Sequence, residues 1–240
     1  MIFPSSQIDP AWLPLITQAL NELDSAYLNR LKNTTDWLPG PTQIFNAFSL
    51  PLSKTRYILF GESPYPRALS ANGYAFWDGQ VKNLWSDKGF DVRVNRATSL
   101  RNLLKMLLLA EGLLKPQNLS QATIAKLDKS HLIKTGDELF GNFLKQGFLL
   151  LNATLVLNLK QSVKKEAHEW HVFIEKLLEL LITKNNHLKL LLFGKIAHDI
   201  DALPAAINFE KIYAEHPYNL SFIQNPVILN FFRPLHLLRA

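Results

Sequence analysis

Four short stretches of this 240-residue chain, with a loop that follows the first, concentrate the side chains able to do chemistry. Gly61-Glu62-Ser63-Pro64-Tyr65-Pro66 supplies a carboxylate and a hydroxyl, and Gly73-Tyr74-Ala75-Phe76 follows it closely. Leu151-Asn152-Ala153 supplies an amide, which can donate and accept at once. Gly194-Lys195 adds a cation, and His216-Pro217-Tyr218-Asn219-Leu220-Ser221 adds an imidazole. Such a set suits hydrogen bonding and proton transfer. Thiolate chemistry is excluded: with no Cys there is no disulfide, thiolate-held zinc or ordinary iron–sulfur cluster.

Taken singly, each of these residues has an ordinary structural explanation. A His after a buried strand is commonly a capped residue, and an Asn ending a strand is commonly turn chemistry. Phe76 and Leu220 alone would pass for core or surface residues, and Glu62 for one half of an ion pair. His198, His236 and the pair His168/His171 read as structural, since no carboxylate or Cys cluster accompanies them as a metal site requires. Lys164-Lys165 reads as solvated surface.

The surrounding pattern gives the four stretches a common position. Tyr57 to Phe60, Phe148 to Leu151, Leu190 to Phe193 and Ile212 to Ala214 are short apolar runs, ended by Gly61, Asn152, Gly194 and His216-Pro217. Helical patterns alternate with them. Asp9-Pro10 is a helix start, after which Ile16, Leu20, Leu23, Tyr27 and Leu31 fall on one face. Gly40-Pro41 opens a shorter helix with Ile44, Phe45 and Phe48. Further helices are expected from about Leu100 to Ala110, from Asp137 to Gln146, and from Trp170 to Ile182. Doubly apolar strands alternating with helices predict an α/β fold, a three-layer α/β/α sandwich with a central four-stranded parallel sheet. Ligands of such sheets bind outside the carboxyl ends of the strands, where the four stretches lie.

Composition bounds the rest. Apolar residues make up 48% of the chain, enough for a sizeable core, and no repeat, low-complexity tract or linker divides it, so residues 1–240 read as a single domain. Runs such as Leu188 to Phe193 are far too short to cross a bilayer. Met1 to Leu15 lacks the basic start and long apolar stretch of a signal peptide, and a cytoplasmic location is expected. With 26 Lys and Arg against 20 Asp and Glu, the net charge of +6 favours a polyanionic partner.

In this order, the motifs resemble those of the uracil-DNA glycosylases, most closely the widespread bacterial and eukaryotic first family. Its members carry Gly-Gln-Asp-Pro-Tyr-His, then a Phe, then Leu-Leu-Asn, then His-Pro-Ser-Pro-Leu-Ser. Phe45-Asn46-Ala47-Phe48, Ser99-Leu100 and Gly194 also look like family counterparts, so the resemblance covers roughly residues 38 to 235. It implies a cofactor-free, metal-free monomer that acts on DNA and not on a membrane. A base inside a duplex must be flipped out at a cost of roughly a few kcal/mol. Breaking its glycosidic bond then leaves an anionic base and an oxocarbenium-like sugar, and the site must stabilise both.

By this resemblance, His216 donates a hydrogen bond to O2 of the departing uracil and Asn152 reads its O4/N3 edge. Phe76 stacks on the flipped ring, and Tyr65 fills the space beside C5 and so rejects thymine. Leu220 enters the gap left by the flipped base. Ser99 and Ser221 hold flanking phosphates, and Lys195 and Pro64 belong to the same DNA-contacting set.

The pattern also breaks. Ser63 stands where the family has its catalytic Asp, Pro66 where it has His, Tyr218-Asn219 where it has Ser-Pro, and Lys195 where it has Ser. The Pro-rich loop before Ser99 is replaced by Asp91 to Thr98, with Arg93 and Arg96. Gly61-Glu62-Ser63-Pro64 is similar to the Gly-Glu-Ala-Pro motif of the iron–sulfur uracil-DNA glycosylases, which puts Glu62 beside Ser63 and His216 as a catalytic candidate. The expected activity is hydrolysis of uracil from DNA to leave an abasic site. A catalytically weak DNA-binding paralogue, a glycosylase for another modified base, and a free-nucleoside hydrolase are the alternatives.

Overall fold

The computed structural model describes residues 7–160, 163–185 and 187–240. Of the opening segment read for a leader pattern, residues 1–6 lie outside the described residues. One sheet contains Tyr57–Gly61, Phe148–Asn152, Lys189–Phe193 and Glu210–Ala214, in spatial order second, first, third, fourth. The first strand runs parallel to both neighbours, with Gly61 opposite Asn152 and Phe60 opposite Leu192. This register brings the chemistry-bearing ends of the first two strands level.

Every residue of the first two strands is buried, as is all of the third except half-buried Lys189. These are the runs that read as doubly apolar, and helices flank the sheet, giving the expected α/β fold. The fourth strand departs from expectation. Glu210–Ala214 is exposed or half-buried throughout, as befits an edge strand opening on Glu210 and Lys211. Its apolar run, Ile212 to Ala214, is too short to distinguish an edge from a centre.

The chain forms two compact units, Met1–Trp77 with Gly147–Ile212, and Asp78–Gln146 with Tyr213–Ala240. In the first unit the opening helical pattern is broken rather than continuous. A 3-10 turn, Pro10–Trp12, leads into the helix Leu13–Leu20, and a second helix runs Ser25–Asn33. The second begins because the Asp24 carboxylate accepts from the Tyr27 N–H at 2.8 Å. Ile16, Leu20, Leu23, Tyr27 and Leu31 are nonetheless all buried, since the break preserves the face. The helix expected after Gly40-Pro41 is only a 3-10 segment, Asn46–Ser49, although Ile44, Phe45 and Phe48 are buried. In the second unit, Thr98–Ala110 and Gly136–Lys145 are helical, the latter opened by a Thr135–Glu138 capping box. The segment replacing the Pro-rich loop holds a short helix, Val92–Arg96, capped by Asp91.

The long helix Val163–Ile182 packs against Leu13–Leu20 and buries Trp170, Phe173, Ile174, Leu177, Leu178 and Leu181. A polar network ties it to Ser25–Asn33. Glu166 is fully buried, accepts from the Tyr27 hydroxyl at 2.5 Å and pairs with Arg30 at 3.0 Å, while the Trp170 indole donates to Tyr27 at 2.7 Å. Burial, reinforced by the Glu166 hydrogen bond and charge, pushes the Tyr27 hydroxyl far above its ordinary range, so it stays a donor. Glu166→Ala strands both partners. It should lower unfolding stability by about 3 kcal/mol, the low end for a broken buried pair because Arg30 is partly exposed. Urea denaturation checks this.

Candidate active site

The first unit builds its part of the site on the close approach of two strand ends. A Cβ on Gly61 would lie 2.5 Å from Asn152 Oδ1 and 2.8 Å from Ala75 Cβ, so only glycine leaves room for the amide. Asn152 is 4% exposed, and among the described residues no protein group hydrogen-bonds its side chain. Such a group is suited to reading a ligand.

Ala75 donates its N–H to the Leu150 carbonyl at 3.0 Å, pinning the Gly73–Trp77 loop along the outer side of the second strand. Phe76 follows in the left-handed region, at φ +64°, a conformation that costs a non-glycine residue about 1–3 kcal/mol. Its carbonyl accepts from the Tyr65 hydroxyl at 3.1 Å, and its ring meets that of Phe193, at the end of the third strand, edge to face at 6.4 Å. The structure thus brings Asn152, Tyr65 and Phe76 to neighbouring strand ends of one unit. Pro64 is buried, Ser63 is half-buried, and Glu62 is exposed with its backbone carbonyl held by the Thr154 N–H.

Glu62 and Lys195 share a cleft of about 470 Å³ within this unit. Lys164, His168, His171 and Asp199 line it too. His171 bonds the Asp199 backbone carbonyl at 3.1 Å and Lys164 is exposed, in keeping with their reading as structural and solvated residues, but that they line one cleft was not read from the sequence. The spacing of 164, 168 and 171 on one helical face is the signal that would have found it.

The second unit holds His216, Leu220, Ser221 and Ser99. His216 Nδ1 accepts from the Tyr218 backbone N–H at 3.1 Å, and its carbonyl accepts from the Asn219 N–H at 2.8 Å. An accepting Nδ1 carries no proton, so the neutral ring has its hydrogen on Nε2. Asn102, fully buried in the helix that contains Ser99, donates to the carbonyls of Pro217 at 2.8 Å and Tyr218 at 3.3 Å. Sequence reading missed Asn102, whose position on an apolar helix face marks it as a buried polar residue with a specific partner. Leu220 is 73% exposed at the start of the 3-10 helix Leu220–Gln224. Ser221 is exposed, and nearby Glu215 accepts from the Asn225 amide at 2.8 Å, which with the backbone N–H of Glu215 holds its carboxyl below the usual range. Half-buried Ser99 sits in the first turn of Thr98–Ala110.

No family profile matches the chain. The uracil-DNA glycosylase of Amoebophilus asiaticus is 26% identical over 215 residues, covering 88% of this chain and 84% of the relative. That of Campylobacter jejuni is 27% identical over 201 residues, covering 83% and 74%. Among solved structures, wild-type UNG from Nitratifractor salsuginis superposes with a TM-score of 0.94 at 41% identity, over 98% of this chain and 94% of that one. Mimivirus uracil-DNA glycosylase, at 18% identity and a TM-score of 0.58, shares the fold. The fold is that of the DNA glycosylases built on a parallel α/β sheet. With 41% identity across nearly the whole of both chains, this chain belongs to the uracil-DNA glycosylase family.

Gly61→Ala tests the close approach. The added methyl group must displace Asn152 or Ala75, costing about 1–3 kcal/mol in stability. A misplacement of ~1 Å at Asn152 should lower single-turnover uracil excision by about 10²-fold.

Proposed function

We propose that this chain is a monofunctional DNA-repair glycosylase that hydrolyses uracil from DNA, nearest to the first uracil-DNA glycosylase family but with a divergent Gly61–Pro66 motif. The observation that carries the reading is the His216 tautomer: a neutral imidazole whose Nδ1 accepts from the Tyr218 N–H carries its hydrogen on Nε2, as a donor. As the C1′–N1 bond breaks, electrons move into the base and negative charge gathers on O2. A neutral donor aimed there stabilises the leaving anion without prior proton transfer. Water adds to C1′, the proton it gives up passes by way of a general base to the uracil anion, and uracil and an abasic sugar are released.

Asn152 supplies the O4/N3 recognition, since its unpaired amide presents a donor and an acceptor together. Phe76 stacks on the flipped ring, and Tyr65, tied to the Phe76 carbonyl, stands beside C5. Leu220 fills the vacated stack, and Ser99, Ser221, Lys195 and Pro64 meet the DNA backbone. Ser63 cannot serve as a carboxylate base. Glu62 is the only carboxylate in that motif and takes the water-orienting role. General-base assistance is worth ~10²–10⁴-fold, whereas whole enzymes reach ~10⁶-fold or more, so leaving-group stabilisation alone sustains slow cleavage.

Single-turnover excision from a uracil oligonucleotide, read as alkali-labile strand breaks, tests the reading. Native protein should convert the substrate, and His216→Ala should be slower by about 10²–10³-fold, the usual cost of losing such a donor. DNA binding without any excision at saturating enzyme would instead make the chain a non-catalytic paralogue. The motif variant carries its own test. Glu62→Gln should slow excision ~10-fold or more, and Ser63→Asp should raise it. The Glu62→Gln effect should shrink once Ser63→Asp is present, because one carboxylate then suffices. Equal rates for native protein and Glu62→Gln would remove Glu62 from the mechanism.

A further inference from the structure

Tyr218 stands where the family motif has Ser, and nothing in the excision chemistry requires an aromatic ring there. It is 67% exposed, and two residues on Leu220 is 73% exposed. Among the described residues its ring makes no aromatic contact and its hydroxyl no hydrogen bond. Its backbone, by contrast, is clamped: the N–H donates to His216 Nδ1, the carbonyl accepts from Asn102, and the next N–H donates to the His216 carbonyl. An apolar ring on a flexible tip would be ordinary surface. On a tethered turn, the ring's direction is set before anything binds and little backbone entropy remains to be lost.

Resting on the uracil-excision reading, we propose that Tyr218 is a stacking platform for the nucleobase next to the gap that Leu220 enters. Distance supports this occupant. Two residues of extended chain span at most roughly 7 Å, about two base steps of 3.4 Å. A ring two positions from the wedge therefore reaches the base neighbouring the vacated site. Every base has a π-face, so such stacking is tolerant of sequence. It adds affinity for opened DNA without adding charge, and it needs the ring rather than the hydroxyl.

The experiment uses the full chain and an oligonucleotide with a tetrahydrofuran abasic analogue flanked on either side by 2-aminopurine. Binding by native protein should quench the fluorophore on one side of the gap. Tyr218→Ala and Tyr218→Ser should abolish that quench and weaken Kd by about 5- to 100-fold, the range of one base–aromatic stack. Tyr218→Phe should keep both the quench and the affinity, and unchanged melting temperatures exclude misfolding as the cause. Quenching and Kd in Tyr218→Ala equal to native would overturn the proposal while leaving uracil excision standing. Loss with Tyr218→Phe as well would overturn it in favour of a hydroxyl contact. A native protein that neither binds nor excises would sink the underlying reading together with it.

Discussion

The first two strands lie parallel and in register, so Gly61 and Asn152 arrive side by side at the same end of the sheet. An amide there must project into space that a methyl group on Gly61 would occupy. Much of the first unit's site depends on that missing atom. The Gly73–Trp77 loop closes over the same spot, with Ala75 against Gly61 and its N–H on the Leu150 carbonyl. Phe76 and Tyr65 are then set by the loop's one strained residue and one hydrogen bond. Burial supplies the driving force, but the vacancy at Gly61 selects the arrangement.

The second unit solves a comparable problem by different means. The neutral His216 ring has a defined tautomer, imposed by a backbone N–H two residues on. That bond requires a tight turn, which the buried Asn102 holds through two carbonyls. The Asn102 Oδ1 is itself buried without a partner, a cost accepted on an otherwise apolar helix face. Holding the His216–Tyr218 turn thus leaves one polar atom of this helix unpaired.

The core strands were legible because a strand buried on both faces reads as an unbroken apolar run, and Gly61, Asn152 and Gly194 marked the ends to within one residue. The exposed fourth strand was legible only in position, since three apolar residues carry no information about which face meets solvent. The helix break at Asn21–Asp24 escaped notice because hydrophobic periodicity continued across it while Asp24 acted as a cap. Asn102 and the cleft histidines were missed for another reason. Their significance lies in partners distant in sequence, and a single chain read in order shows types and spacings but not who faces whom.

The hydrogen bond from Ala75 to Leu150 has a further consequence. The strand that carries Asn152 is the last in the sheet on its side, and an uncovered outer strand is a template on which another polypeptide can add. By occupying the Leu150 carbonyl, the loop that presents Phe76 also blunts that edge. The placement of Phe76 and the protection of this sheet edge are therefore coupled through one peptide group. A change in this loop that freed the Leu150 carbonyl would re-expose that edge even if Phe76 kept its place.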